Sequence, residues 1–386
     1  MNRPVYFDYA AATPTDSRVI EAMVACMSAD GCFGNPHAKD HVYGWEAMEA
    51  VENARAQVAS LVGASPLEIF FTSGATESNN LSIFGLSAGL RERGDRRNHI
   101  ITSLIEHKAI LESCEQLEKQ GYRVTYLKPD RSGIISLQNV EEHLDDDTFL
   151  VSVAQVNSVL GSVSDVHAIA ALCHSHGIYF HTDVAQSVGY LKMDYDSSDI
   201  DLVSLTSEKV YGPKGIGALF VKRQSNPPLK AMIYGGGQEK GMRGGTLATH
   251  EVVGFGCSFE LLGKEARDDY NRFVKIRKRI IEGISGIKGL VVNGSSDHNL
   301  PQILSVSFKG VDGASLLPSL TGIAASTGSA CSSASLEPSY VLKAIGHSDE
   351  LARASLRLSF GRFTTDAEVE KLITELNSKV PALQHF

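Results

Sequence analysis

The sequence has no cysteine pair at CxxC spacing, no apolar run long enough to cross a bilayer, and no surplus of positive charge. Its six cysteines, Cys26, Cys32, Cys114, Cys173, Cys257 and Cys331, are spread along 386 residues, which argues against a disulfide scaffold or a zinc ribbon. The nearest approach to a metal cluster is Cys173, His174 and His176 in AALCHSHG. A helix end closed by Gly177, with histidine in its last turn, accounts for that stretch, and no metal is expected. The missing apolar runs exclude a membrane helix. A net charge of −9 removes the electrostatic footprint of nucleic-acid or anionic-lipid binding, so any service to a nucleic acid runs through a partner. The first residues, MNRPVYFDYAAATPTDSRV, show neither the apolar core of a signal peptide nor the Arg-rich, acid-poor character of a transit peptide. The expected location is the cytoplasm.

What is present is the composition of a globular enzyme, 43% hydrophobic and 21% charged, in a chain long enough for two packed units. Between about residues 65 and 222, β-rich runs (EIFFTS, HIITS, YRVTYL, FLVSVAQ, IYFHTD, DLVSLT, GALFVKR) alternate with helical patterns such as KAILESCEQLEKQ and VHAIAALCHSH. That alternation predicts an α/β fold with a mostly parallel sheet wrapped by helices. Residues 248–284 read as one long helix, after which VSFKG, IAAS and LRLSF read as strands and 313–320, 336–345 and 365–380 as helices. A boundary near residue 258 is expected, with a large domain over 16–258 and a small one built from 1–15 and 259–386, since chain ends often return to each other.

Chemistry is concentrated in a few short stretches. GSACSSAS places the Cys331 thiol among residues with almost no side chain, the composition of a segment that fixes few rotamers and suits a sulfur that travels. TSGATES follows a strand and opens a helix, so Ser73, Gly74, Ala75 and Thr76 form an anion cup or a plain helix cap. In HTDVAQS, Asp183 ends an apolar strand and Gln186 follows; in SLTSEKVYGPKG, Thr206 and Lys209 follow another. Ligands of open α/β sheets sit at such carboxyl ends. A phosphate cup, then an aspartate, then a lysine is the order expected for pyridoxal phosphate, whose aldehyde takes a lysine amine and whose ring nitrogen takes an anionic partner. His107 in IEHKAI, also just past a strand, can stack on the ring and act as acid or base.

With these residues assembled, the chain resembles the cysteine desulfurases of the class V aminotransferase fold, in their long-loop (IscS/NifS-like) group. The motifs span nearly the whole chain: DYAAATP, FGNP, TSGATESNN, ITSLIEHKA, the Val156–Asn157 pair, DVAQSVG, EKVYGPKGIGAL, GMRGGT, STGSACSSASLEPSYVL and LRLSFGRFT. The resemblance implies fold type I of the pyridoxal-phosphate enzymes, with a seven-stranded sheet in the large domain and a smaller α/β domain carrying a mobile catalytic cysteine loop at about 324–337. It implies that Lys209 binds the cofactor aldehyde, Asp183 pairs with the pyridinium, Gln186 hydrogen-bonds the ring hydroxyl and Thr76 grips the phosphate. Thr246, in GMRGGT, would reach the phosphate of a neighbouring subunit, hence a homodimer. Arg357 would hold the substrate α-carboxylate, with Asn157 orienting it and Asn35 near the same cleft. Together these imply conversion of L-cysteine to L-alanine with a persulfide left on Cys331, whose sulfur passes to an acceptor protein. A selenocysteine lyase and a catalytically impaired sulfur-relay scaffold are the rival readings.

Three departures qualify the resemblance. The family usually carries Ser-Gly-His-Lys where this chain has Thr206-Ser207-Glu208-Lys209, and an ionised Glu208 cannot donate to a phosphate. The expectation is that Glu208 turns away and leaves Thr76, Thr206 and Thr246 to hold it. VNSVLGSV replaces the usual VNNEIG-like run beside the cleft. The sequence also ends at Phe386 without the family's docking tail for the iron–sulfur scaffold, which favours a dedicated acceptor pathway such as DNA phosphorothioation or tRNA thiolation over general cluster assembly.

Overall fold

The computed structural model describes residues 3–327 and 337–385. Twelve strands are present among them: β1 (Val5–Tyr6), β2 (Ile69–Thr72), β3 (His99–Ser103), β4 (Arg123–Leu127), β5 (Thr148–Ser152), β6 (Tyr179–Asp183), β7 (Leu202–Thr206), β8 (Gly217–Val221), β9 (Leu290–Asn293), β10 (Ile303–Phe308), β11 (Ile323–Ala324) and β12 (Ser355–Ser359). Seven of them form one sheet in the order β2-β8-β7-β6-β5-β3-β4. β7, β6, β5, β3 and β4 run parallel, whereas β8 lies antiparallel to both its neighbours. The runs HIITS, TFLVS, LVSLT and GALFV are buried along their whole length. Helices on both faces of a parallel sheet require that continuous apolar character.

One core joins Val51, Phe71, Val151, Phe180, Leu205, Phe220, Phe255 and Phe259 on one face of this sheet; a second joins Ile83, Ile100, Ile110, Phe149 and Leu219 on the other. β9, β10 and β12 form an antiparallel sheet in the order β12-β10-β9, with its own core of Phe273, Ile280, Leu304, Val306, Leu356 and Leu372. The helix Thr249–Ile284 runs through both units. Its residues up to Ala266 pack on the large sheet and those from Phe273 onward on the small one. The N-terminus returns to the second unit: β1 pairs with β11 in parallel, and Phe7 is fully buried in its core.

Candidate active site

Five strand ends of the large sheet and one strand of the small sheet converge on a cavity of about 370 Å³. After β2 the chain turns through Gly74, whose φ of +149° suits glycine, into the helix Ala75–Asn80, which continues through a wider turn at Leu81–Gly85 into Leu86–Glu92. Its first amide groups have no carbonyl one turn behind them and carry the positive end of the helix dipole. The turn is held by Thr72, whose hydroxyl donates to the Gly74 carbonyl and bonds the Ser78 hydroxyl at 2.8 Å. It is also pressed against β8, because a Cβ on Gly217 would stand 2.7 Å from the Gly74 Cα. Ser73, Gly74, Ala75 and Thr76 all line the cavity. The Ser73 amide donates to Glu77 Oε2 at 2.9 Å, and Glu77 Oε1 accepts from Arg243 Nε at 2.8 Å.

Asp183 reaches the cavity from the end of β6. Its Oδ2 accepts from Asn79 Nδ2 at 2.8 Å and its Oδ1 from the Ala185 amide at 2.9 Å, which aim the carboxylate. Asn79 Oδ1 is buried with no partner, an acceptor awaiting a donor. Lys209 and Thr206 enter from β7. Lys209 Nζ donates to the Ala11 carbonyl and stands 3.2 Å from Glu208 Oε1. The expectation that Glu208 turns away is therefore corrected: its carboxylate lines the cavity because the lysine amine attracts it there. Gln186 Nε2 donates to the Ala10 carbonyl at 3.0 Å.

His107, past β3, caps the helix Lys108–Glu118 by accepting the Ala109 amide on Nδ1. That bond places the neutral ring's proton on Nε2. Arg357, on β12, is buried; its guanidinium donates to Asp8 Oδ1 at 2.8 Å and to the Ser158 carbonyl at 3.1 Å, while Nε has no partner. Asn157 also lines the cavity, but its carboxamide is committed to the backbone, accepting from Val159 and Leu160 and donating to Ile105. Asn35 and Thr246 are not brought to this cavity by one chain. Both are exposed, and Asn35 Oδ1 accepts the His37 amide. Cys331 lies outside the described residues. The residues flanking that stretch border the site: Ser326 exchanges both backbone hydrogen bonds with Arg357, and the Tyr340 hydroxyl donates to the Glu106 carbonyl at 2.7 Å.

Sequence reasoning missed Glu106. Its fully buried carboxyl accepts from the Ser103 hydroxyl at 2.5 Å and the Ala154 amide at 3.0 Å, bracing β3 to the chain leaving β5. Burial is the main cause that pushes its pKa up to about 8, and the Asp183 charge adds to it. Its only signal was a carboxylate beside His107. Asn79, equally silent, lay inside the quoted TSGATESNN motif.

A carboxylate fixed by two donors, a lysine amine, a helix N-terminus and a buried arginine with spare donor capacity suit a ligand carrying a phosphate, an aldehyde and a basic ring nitrogen, alongside a carboxylate substrate. Residues 5–372 match the Aminotransferase class-V family. The chain is 49% identical over 384 residues to a cysteine desulfurase IscS from Proteus mirabilis, covering 100% of this chain and 94% of that one. Among solved structures it superposes on a NifS-like protein with a TM-score of 0.90 at 31% identity, covering 98% of this chain and 100% of that one. A structure described as SspA in complex with cysteine matches at 41% identity with a TM-score of 0.82, over 93% and 99% of the two chains. The chain belongs to the class-V aminotransferases and, within them, to the cysteine desulfurases.

Proposed function

We propose that the protein is a pyridoxal-phosphate-dependent cysteine desulfurase acting as a homodimer in the cytoplasm. The observation that carries this reading is the convergence of Lys209, Asp183 and Arg357 on one cavity, with the flanks of the Cys331 segment bonded to Arg357 and to Glu106, which precedes the cavity-lining His107. When bound, the cofactor supplies an electron sink for charge developing at the substrate Cα.

The chain's own residues do the rest. Asp183, oriented by Asn79 and the Ala185 amide, keeps a proton on the ring nitrogen, and Gln186 meets the ring hydroxyl. Gly74, Ala75, Thr76 and Thr206 hold the phosphate, joined by Thr246 of the second copy. Arg357 exchanges its Asp8 contact for the substrate carboxylate, with Asn157 and Asn35 shaping the approach. Lys209 removes the Cα proton, and His107 stacks on the ring and moves protons through Nε2. The Cys331 thiolate attacks the substrate sulfur as the carbon–sulfur bond breaks, so L-cysteine and a thiol become L-alanine and a protein persulfide. That sulfur passes to an acceptor protein for thio-modification or iron–sulfur cluster assembly.

The dimer is supported by the exposed Thr246 and Asn35 and by the large exposed apolar side chains Tyr43, Trp45 and Tyr234 near them in sequence. The five described cysteines are free thiols, as a reducing compartment would keep them. We read the domains as 16–258 and 1–15 with 259–386. The test is alanine formation from L-cysteine, with reductant, by the pyridoxal-phosphate-loaded protein and by Cys331→Ser. Alanine from the first alone supports the reading. No alanine from either, with visible absorption of lysine-bound cofactor intact, would replace it with the relay scaffold.

A further inference from the structure

The helix Ser17–Met27 is followed by a turn that folds sharply back on it. The Gly31 amide donates to the Ser28 carbonyl at 3.0 Å, and a Cβ on Gly31 would sit 2.0 Å from the Ala25 carbonyl oxygen. Only glycine lets the chain return this closely. The return sets Cys32 against Cys26: Cys26 Sγ donates to the Cys32 carbonyl at 3.7 Å, and the two thiols are close enough to perturb each other. Cys26 is 5% exposed and Cys32 is half-buried. Both line an open cavity of about 430 Å³ whose other walls include Asp30, Asn53 and Gln57. None of these residues belongs to the site described above.

We propose that Cys26 and Cys32 form a reversible dithiol–disulfide modification site whose oxidant is a peroxide. The accessible Cys32 sulfur attacks one peroxide oxygen and becomes a sulfenic acid, while the other oxygen leaves as water; sulfur is oxidised by two electrons and the peroxide reduced by two. The Cys26 sulfur then attacks the Cys32 sulfur, forming the S–S bond and releasing the hydroxyl with the Cys26 proton as a second water. The order follows from exposure. Burial, the main cause, holds the Cys26 thiol up at about 12, so closure is the slower step and quickens as pH rises. The product stitches the last turn of the helix to the FGNP stretch that carries Asn35.

Hydrogen peroxide is added to the reduced full-length protein, remaining thiols are alkylated, and peptides are mapped by mass spectrometry. The expected result is a Cys26–Cys32 cross-linked species two hydrogens lighter than the dithiol, abolished by dithiothreitol. In Cys26→Ser, Cys32 is expected to be trapped by dimedone; in Cys32→Ser, Cys26 stays alkylatable. Both cysteines alkylated in the wild type after Cys331 has been oxidised would overturn the proposal, as would either joined to a different cysteine. Dimedone labelling of Cys26 in Cys32→Ser at the rate seen for Cys32 would overturn the assigned order.

Discussion

Glu208 places a carboxylate where the cavity is built for an anion, and it holds Lys209 by charge. Both effects oppose cofactor loading, so Glu208→Gln is expected to bind pyridoxal phosphate about tenfold more tightly. That is a modest fraction of a like-charge repulsion at an effective dielectric of about 20, because Glu208 is about one-third exposed. A titration followed by visible absorption checks it, and unchanged affinity would remove Glu208 from the account of loading. Glu106 makes a second claim. Its ordinary value of 4.5 is raised to about 8 in the folded chain. Between those values the unfolded chain has lost this proton and the folded chain has kept it, so the residue's contribution to stability declines as pH rises. Glutamine has the same shape and cannot ionise, so its contribution does not change with pH. The Tm of Glu106→Gln relative to wild type should therefore climb between about pH 5 and pH 8, as read by thermal unfolding. Lys209, Asp183 and His107 were legible because each follows an apolar run that ends at the sheet's carboxyl edge. Asn79 was not, because its partner Asp183 is 104 positions away and no local pattern announces that bond.

The buried strands and the helices between them were legible from continuous apolar runs alternating with helical periodicity. β9 was not: LVVN is half-buried at the edge of a small sheet, and it pairs with β10 on one side alone. The two helices Ser17–Met27 and Val42–Leu61 also lay outside the sequence reading; they pack on the helix Thr249–Ile284, so much of their burial comes from a distant element. The turn from β2 into its helix depends on an element far along the chain, because β8 must present no side chain where Gly74 crosses it. Gly217→Ala would push that turn outward or move the Leu205 carbonyl, 2.5 Å from the added carbon. A loss of about 1–3 kcal/mol is expected, measured by denaturant titration, with weaker pyridoxal-phosphate binding alongside. Destabilisation with unchanged affinity would mean that the turn does not depend on the β8 contact.

For the molecule as a whole, the exposed Thr246 sits in a segment tied to the Ser73–Gly74 turn of its own chain through Arg243 and Glu77. If each copy completes the other's site, Lys209→Ala and Thr246→Ala should complement. A mixed dimer then holds one site with an intact lysine and a threonine donated across the interface. Co-expressed, separately tagged chains should regain desulfurase activity well above either parent dimer, and activity no greater than the mean of the parents would place Thr246 outside the partner's site. The second sheet was readable from the change of pattern after the long helix, yet that helix packs on both sheets unbroken, so no composition shift marks the join.

The first twelve residues supply Asp8 to Arg357 and the Ala10 and Ala11 carbonyls to Gln186 and Lys209, while β1 pairs with β11. Asp8 thus waits during synthesis for a partner made 349 positions later. The large sheet can form before Arg357 has been made, but the catalytic cleft cannot close until it has.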